Sequence, residues 1–212
     1  MPRRRDHRVF AALYSFLARQ GEGTVVGDLR TSTLSSARGR LLVIGLGPGY
    51  DLEHLPPGVD SVIALEPSAA MLRKARQRVV TAQRTMPALA LRGVAERLPL
   101  SDDSVDAVLC VFVLCSVDDV QQSLREFRRV LRPDGQLLLL EHVGAAPNTR
   151  TRRAQQLLDP VWPHVAAGCH LTRDLRADVV EAGFYADGVQ DVRLPAIPIC
   201  AASLMGAARI SE

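Results

Sequence analysis

The run Leu41-Leu42-Val43-Ile44 passes directly into Gly45-Leu46-Gly47-Pro48-Gly49, an order of residue types that suits ligand binding. Glycines at the end of a buried strand let a ligand approach the backbone closely, and a helix start that follows offers unpaired N–H groups. In the dinucleotide fingerprint the third glycine stands three residues after the second. Here that position is Tyr50 and the glycine comes at Gly49, so the turn fits a smaller ligand. Glu66 closes the next aliphatic run, Ser61 to Leu65, about 20 residues beyond the first glycine, where a carboxylate accepts both hydroxyls of a ribose. Taken singly, the two features also read as a tight turn and a surface acid. Inside one strand–helix–strand unit they point to a ribose-containing ligand.

A scaffold that presents such a turn needs more strands and helices in alternation, and the chain has their signals. Ala88 to Gly93 is a weak strand, Val105 to Val113 and Gln136 to Leu140 are strong ones, and Ser68 to Val80 carries a helical pattern with Ser68 as its N-cap. Val120 to Leu131 sets Leu124, Phe127, Val130 and Leu131 against Arg125, Glu126, Arg128 and Arg129, an amphipathic helix ended by a turn at Arg132-Pro133-Asp134-Gly135. Strands joined by such helices require right-handed crossovers, so the expected fold is α/β, a doubly wound and mostly parallel sheet. Beyond Glu141 come a helix at Thr149 to Leu158, an irregular stretch Asp159 to Thr172 and a helix Thr172 to Ala182. Two last runs, Gly188 to Leu194 and Ile199 to Ile210, are expected to pair as an antiparallel hairpin at the sheet edge. Near the start, Val9, Phe10, Leu13, Phe16 and Leu17 form one face of a helix from Arg8 to Arg19, with Tyr14 just off that face. With no repeat and no linker, the expectation is one domain over 1–212: a helical cap to 40, a ligand-binding core over 41–140 and a substrate-side segment with edge strands over 141–212.

Composition narrows the function. A formal charge of +3 with scattered arginines does not imply nucleic acid as a partner, and Arg3-Arg4-Arg5 reads as a solvated arm or an anchor to an anionic surface. Aromatics make up only 4% of the chain, so the core must be aliphatic. No stretch approaches the length of about 18 apolar residues that spans a bilayer, and the first residues lack a signal peptide's apolar region, so a cytoplasmic protein is expected. Cys110, Cys115, Cys169 and Cys200 show no paired spacing. Cys169 and His170 adjoin without an evident third ligand, so no metal site is expected and the cysteines read as reduced thiols.

The loop Gly93-Val94-Ala95-Glu96-Arg97-Leu98-Pro99-Leu100-Ser101-Asp102-Asp103-Ser104-Val105-Asp106 completes a set of four ordered motifs, with the glycine turn, the acid after the second strand and Leu131-Arg132-Pro133-Asp134-Gly135. In these the chain resembles the class I S-adenosylmethionine-dependent methyltransferases over Leu41 to Leu140. The resemblance implies that Gly45, Gly47 and Gly49 contact the methionine moiety of S-adenosylmethionine, Glu66 its ribose and Ala95 and Glu96 its adenine. Cys110, Val111 and Phe112 would line the sulfonium end. Two positions depart from the family pattern: Val43 stands where an acid commonly precedes the first glycine, and Val94 where an Asp often precedes the Ala-Glu pair. Both remove polar contacts to the cofactor, which either weakens its binding or calls for replacements from Glu96 or Tyr14.

Val113-Leu114-Cys115-Ser116-Val117, Glu141-His142-Val143, Leu158-Asp159-Pro160-Val161-Trp162 and Gly168-Cys169-His170-Leu171-Thr172-Arg173 look most like the methyltransferase-like 7 group of thiol methyltransferases and its bacterial relatives. That group's hydrophobic N-terminal anchor is absent here, which implies a soluble form. A small thiol or dithiol is therefore the favoured acceptor, with S-adenosylhomocysteine as co-product. The alternatives are methylation at carbon, oxygen or nitrogen of a quinone-like, phenolic or amine molecule, or cofactor binding without catalysis. His142, close behind the fifth strand, and Asp159, in the irregular segment, are the candidate bases, each with a structural reading beside it: a buried hydrogen bond and a turn before Pro160. Trp162 reads as a substrate-pocket wall or as core, and Cys115 as packing or as a substrate contact. Arg173 reads as a partner for an acidic substrate group or as a carbonyl cap.

Overall fold

The computed structural model describes residues 25–194 and 198–211, so the expected N-terminal helix and Tyr14 lie outside the described residues. Seven strands make one sheet in the order β3-β2-β1-β4-β5-β7-β6. These are β1 (Gly39–Ile44), β2 (Val59–Leu65), β3 (Ala88–Leu91), β4 (Val105–Val111), β5 (Leu131–His142), β6 (Phe184–Arg193) and β7 (Ala202–Ile210). The first five pair in parallel, and β7 runs antiparallel between β5 and β6. This is the doubly wound sheet expected from the sequence, with its antiparallel hairpin at one edge.

Both faces of the sheet are covered, which is why the central strands read as unbroken aliphatic runs and not as alternating ones. Leu42 and Ile44 of β1 join Leu137 and Leu139 of β5 in one buried cluster, beneath Leu124, Phe127 and Val130 of α3 (Val120–Val130). Their neighbours Leu41 and Val43 face the other way, with Leu138 and Leu140, toward Leu34 of α1 (Val25–Leu34) and Ala75 of α2 (Ala69–Ala82). The caps follow the sequence. Ser68 Oγ accepts from Met71 N at 3.3 Å, and Asp119 Oδ1 accepts from Gln122 N at 2.8 Å. In the last turn of α3 the cations Arg128 and Arg129 complement the helix dipole.

Two sequence expectations need revision, and one helix end gives no sequence signal. Arg132-Pro133-Asp134-Gly135 does not separate helix from strand. Val105 pairs with Leu131 and Ala107 already with Gln136, so the four residues bulge out within β5. The last expected helix shortens to α6 (Leu175–Glu181), because Asp174 Oδ1 caps Ala177 N at 3.2 Å. And the polar stretch after residue 30 hides the end of α1, whose buried residues include Arg30 and Thr33; polar burial of this kind leaves no hydrophobic periodicity to read. Between α4 (Arg150–Leu158) and α6 lies only the single-turn α5 (Trp162–Val165). Among the described residues no helix is long and apolar enough to cross a membrane.

Candidate functional site

Strand order reverses between β1 and β4, and in open α/β sheets the crevice beyond the carboxyl ends of the strands at such a switch point is where ligands bind. The glycine turn sits there. Gly45, Gly47 and Gly49 all have positive φ, at 65°, 55° and 91°. At Gly45 a Cβ would meet Val113 Cγ2 at 2.5 Å, so no other residue fits between β1 and the loop after β4. Glu66 is buried at the end of β2 and its carboxylate bridges two backbone donors, Gly47 N to Oε2 at 2.8 Å and Ser68 N to Oε1 at 2.8 Å. A carboxylate accepts about four hydrogen bonds, so it can hold the turn and receive ribose hydroxyls together. Replacing Glu66 with alanine is expected to weaken S-adenosylmethionine binding by about 1.5–3 kcal/mol, the scale of a charge-assisted hydrogen bond, as read by calorimetry. An unchanged affinity would sink the ribose assignment.

The next loop is held from behind. Arg129 donates to Glu126 Oε1 and Oε2 at 2.8 Å each, to Asp102 Oδ1 at 2.7 Å and to the carbonyls of Leu100 and Leu98 at 2.8 and 3.2 Å, while Leu98 N donates to Glu126 Oε2 at 2.7 Å. Arg129 keeps Glu126 below the usual carboxylate range. Ala95 is buried, and Glu96 Oε1 accepts from Asp118 N at 2.8 Å, tying the loop to the start of α3. Arg129→Ala should therefore cost about 1–3 kcal/mol in urea unfolding and lower cofactor affinity as well, since it removes the tethers to Leu98 O, Leu100 O and Asp102. A stability loss with no change in affinity would separate this loop from the cofactor. Val43 is sealed in the core and Val94 makes an isolated bridge with Arg97, so neither supplies the polar contact the family pattern has there.

At the end of β4 the chain turns sharply. Phe112 takes φ 56°, a left-handed conformation uncommon for a bulky residue and one that tends to occur at functional sites. Cys110 has its side chain fully within the core, so it can meet a ligand only through its backbone, and burial pushes its thiol well up. The loop beyond is fixed by Glu141, whose Oε1 accepts from Val113 N at 2.8 Å and Leu114 N at 2.9 Å. Burial raises Glu141 to about 7 against the pull of the Leu114, Val113 and Cys115 N–H groups. Arg173 holds the same loop by donating to the carbonyls of Leu114 and Val117, so of its two readings the carbonyl cap is the one seen.

His142 is the last residue of β5 and is buried. Its Nδ1 lies 3.7 Å from Cys169 Sγ, and Cys115 Sγ completes a group whose donor atoms lie within 4.8 Å of one another. Contact with Cys115 holds the Cys169 thiol below its ordinary value, while the same contact and burial push Cys115 well up. The indole of Trp162 points toward Cys169. Asp159 lies elsewhere in the network. It accepts from Leu171 N and, at 3.3 Å, from Thr172 Oγ1, with His170 Nδ1 at 3.4 Å, and it lines an open groove of about 380 Å³ with Gln156, Pro163 and His164. His142 does not line that groove, so the two candidate bases share no partner. Sequence reasoning missed Glu141, although an acid ending a buried aliphatic run is the same signal that singled out Glu66. It also missed the Cys115–His142–Cys169 group, whose members come from three separate segments.

The family match and the fold are those of a class I S-adenosylmethionine-dependent methyltransferase domain. Residues 42–139 match the family described as Methyltransferase domain, and family and fold imply S-adenosylmethionine as the cofactor. Thiol S-methyltransferase TMT1B of Homo sapiens is 36% identical over 162 residues, covering 74% of this chain. Thiol S-methyltransferase TMT1A of Homo sapiens is 29% identical over 187 residues, covering 88% of this chain and 76% of the relative. The chain spans 64% of the length of human TMT1B and 59% of that of its Rattus norvegicus counterpart. Among solved structures, the YcgJ protein of Bacillus subtilis shares the fold with a TM-score of 0.61 at 24% identity, over 78% of this chain and 69% of that one. The positive-φ glycine cradle and the buried Glu66 fit the implied cofactor.

Proposed function

We propose that the chain transfers a methyl group from S-adenosylmethionine to the sulfur of a small thiol, leaving S-adenosylhomocysteine. The observation that carries the acceptor assignment is the polar patch of Cys115, His142 and Cys169 at the carboxyl ends of β4 and β5. The similarity to a thiol S-methyltransferase, which reaches over 88% of the chain and so beyond the cofactor core, supports it. When bound, the cofactor supplies a methyl group activated by a sulfonium sulfur. Gly45, Gly47, Gly49 and Glu66 would hold it, with Ala95 and Glu96 on the adenine side and the backbone of Cys110 to Phe112 toward the sulfonium.

The chain's own tasks are then alignment, exclusion of water and a deprotonated acceptor. A thiol makes the last task modest, since its free pKa of about 8.5 needs only a small downward shift, whereas an alcohol needs far more. Labelled S-adenosylmethionine offered with small thiols, dithiols, catechols and amines tests the reading, with cofactor affinity taken from the same sample. Product confined to thiols is the expected result. Transfer only to catechols or amines would reassign the acceptor, and tight binding without transfer would favour a non-catalytic role.

A further inference from the structure

Four buried side-chain polar atoms have no hydrogen-bond partner among the described residues: Glu141 Oε2, His142 Nε2, Trp162 Nε1 and Ser203 Oγ. They gather at one end of the sheet. Glu141 and His142 end β5, Ser203 of β7 stands opposite His142 in the strand pairing, and Trp162 faces Cys169. Burying a polar atom unpaired costs about 1–3 kcal/mol, so this end of the sheet is a polar pocket suited to a bound water or ligand.

The donors beside them are specific. Cys115 Sγ, Cys169 Sγ and a ring nitrogen of His142 lie within 4.8 Å of one another, with Cys169 Sγ and His142 Nδ1 at 3.7 Å. Around a tetrahedral zinc ion, with sulfur at about 2.3 Å and nitrogen at about 2.0–2.1 Å, neighbouring donors stand about 3.5–3.8 Å apart. The group is thus within an ångström or so of that geometry, a distance that side-chain rotation covers. We propose that Cys115, His142 and Cys169 bind a thiophilic divalent cation, Zn2+ foremost, with one coordination position left open.

Thiolate and imidazole ligands select zinc over magnesium or calcium, which prefer oxygen. Two thiolates and a neutral imidazole cancel the charge of the ion, so the site can be buried without stranding a net charge. The backbone around it is fixed: His170 N donates to the Cys115 carbonyl at 2.8 Å and Cys169 N to the Ala166 carbonyl at 3.0 Å. Cys115 and His142 are buried, while Cys169 is partly exposed and marks the side of entry. Three protein ligands with an open fourth position is the pattern of zinc sites that do chemistry, in contrast to the closed four-ligand sites that only support a fold. Resting on the thiol reading above, the open position takes the acceptor. The S–H bond breaks, sulfur displaces water from the ion, the proton passes to solvent water, and the acceptor is held as a thiolate.

The reduced full chain, stripped with a chelator, is titrated with Co2+ as a spectroscopic stand-in, and Zn2+ is then added to displace it. The expected result is one equivalent bound with the visible bands of a tetrahedral thiolate site. Cys169→Ser, at the least buried ligand, should lower Co2+ affinity at least about 100-fold, the upper end of what even an outer-shell change costs, while Cys200→Ser keeps the spectrum. No uptake by the reduced chain, or equal uptake by Cys169→Ser, overturns the site. Loss of the bands in Cys200→Ser makes Cys200 a fourth ligand and overturns the open position. Adding 2-mercaptoethanol to the Co2+ form should strengthen the sulfur charge-transfer band; an unchanged spectrum overturns the acceptor role and leaves the cation site standing. The labelled-methyl assay scores product without reference to metal, so failure of the thiol reading is seen separately.

Discussion

Alanine in place of Arg30 is expected to lower the free energy of unfolding by about 3–5 kcal/mol, the scale for breaking a buried ion pair from one side. Arg30 lies in α1 and Asp51 just after the glycine turn, and the two side chains pair with only 6% of each exposed. Their mutual attraction largely offsets the cost of taking both from water, so the pair as a whole adds little stability. Removing one charge is different, because the other stays buried and loses this close, well-shielded partner. A charge-free double substitution, Arg30→Met with Asp51→Leu, should therefore recover most of what Arg30→Ala loses. Urea unfolding followed by circular dichroism gives both values, and a loss under about 1 kcal/mol for Arg30→Ala would place the pair among solvated ones. Because Asp51 follows Gly49 so closely, cofactor affinity should fall in Arg30→Ala and return in part in the double variant.

That pair was invisible in the sequence, and the reason is general. The strands, the capped helices and the glycine turn each announce themselves through neighbours in the chain: Leu41 to Ile44 by its apolar run, α2 by Ser68, the turn by its three glycines. Glu66 was legible too, because the family spacing and the strand end coincide. Arg30 and Asp51, by contrast, are ordinary surface types in polar stretches, and only the three-dimensional fold brings them together and buries them. The same holds for the acceptor side. Cys115, His142 and Cys169 come from the loop after β4, the end of β5 and the segment after α5, so no spacing rule for metal ligands could join them. Asp159 and His142, which the sequence set side by side as bases, turn out to serve different neighbours, since one strand end and one helix end bring them to separate partners.

This separation makes the second expected result discriminating. His142→Ala should lower kcat for a small thiol by about 100-fold or more, in the range for losing a group that prepares the nucleophile, while S-adenosylmethionine affinity stays within about twofold. The strand order places β4 between β1, which leads into the glycine turn, and β5, which ends at His142, so the cofactor cradle does not depend on the imidazole. Asp159→Asn should do less, about tenfold or under, because asparagine keeps an oxygen that can accept from Leu171 N and so preserves most of the segment that carries Cys169. Thermal unfolding of both variants separates a local effect from a loss of fold. Equal losses in the two would argue that His142 acts only through the positioning of residues 169–173. Unchanged turnover in both would remove them from the acceptor chemistry altogether and leave Cys115 and Cys169 as the groups to test.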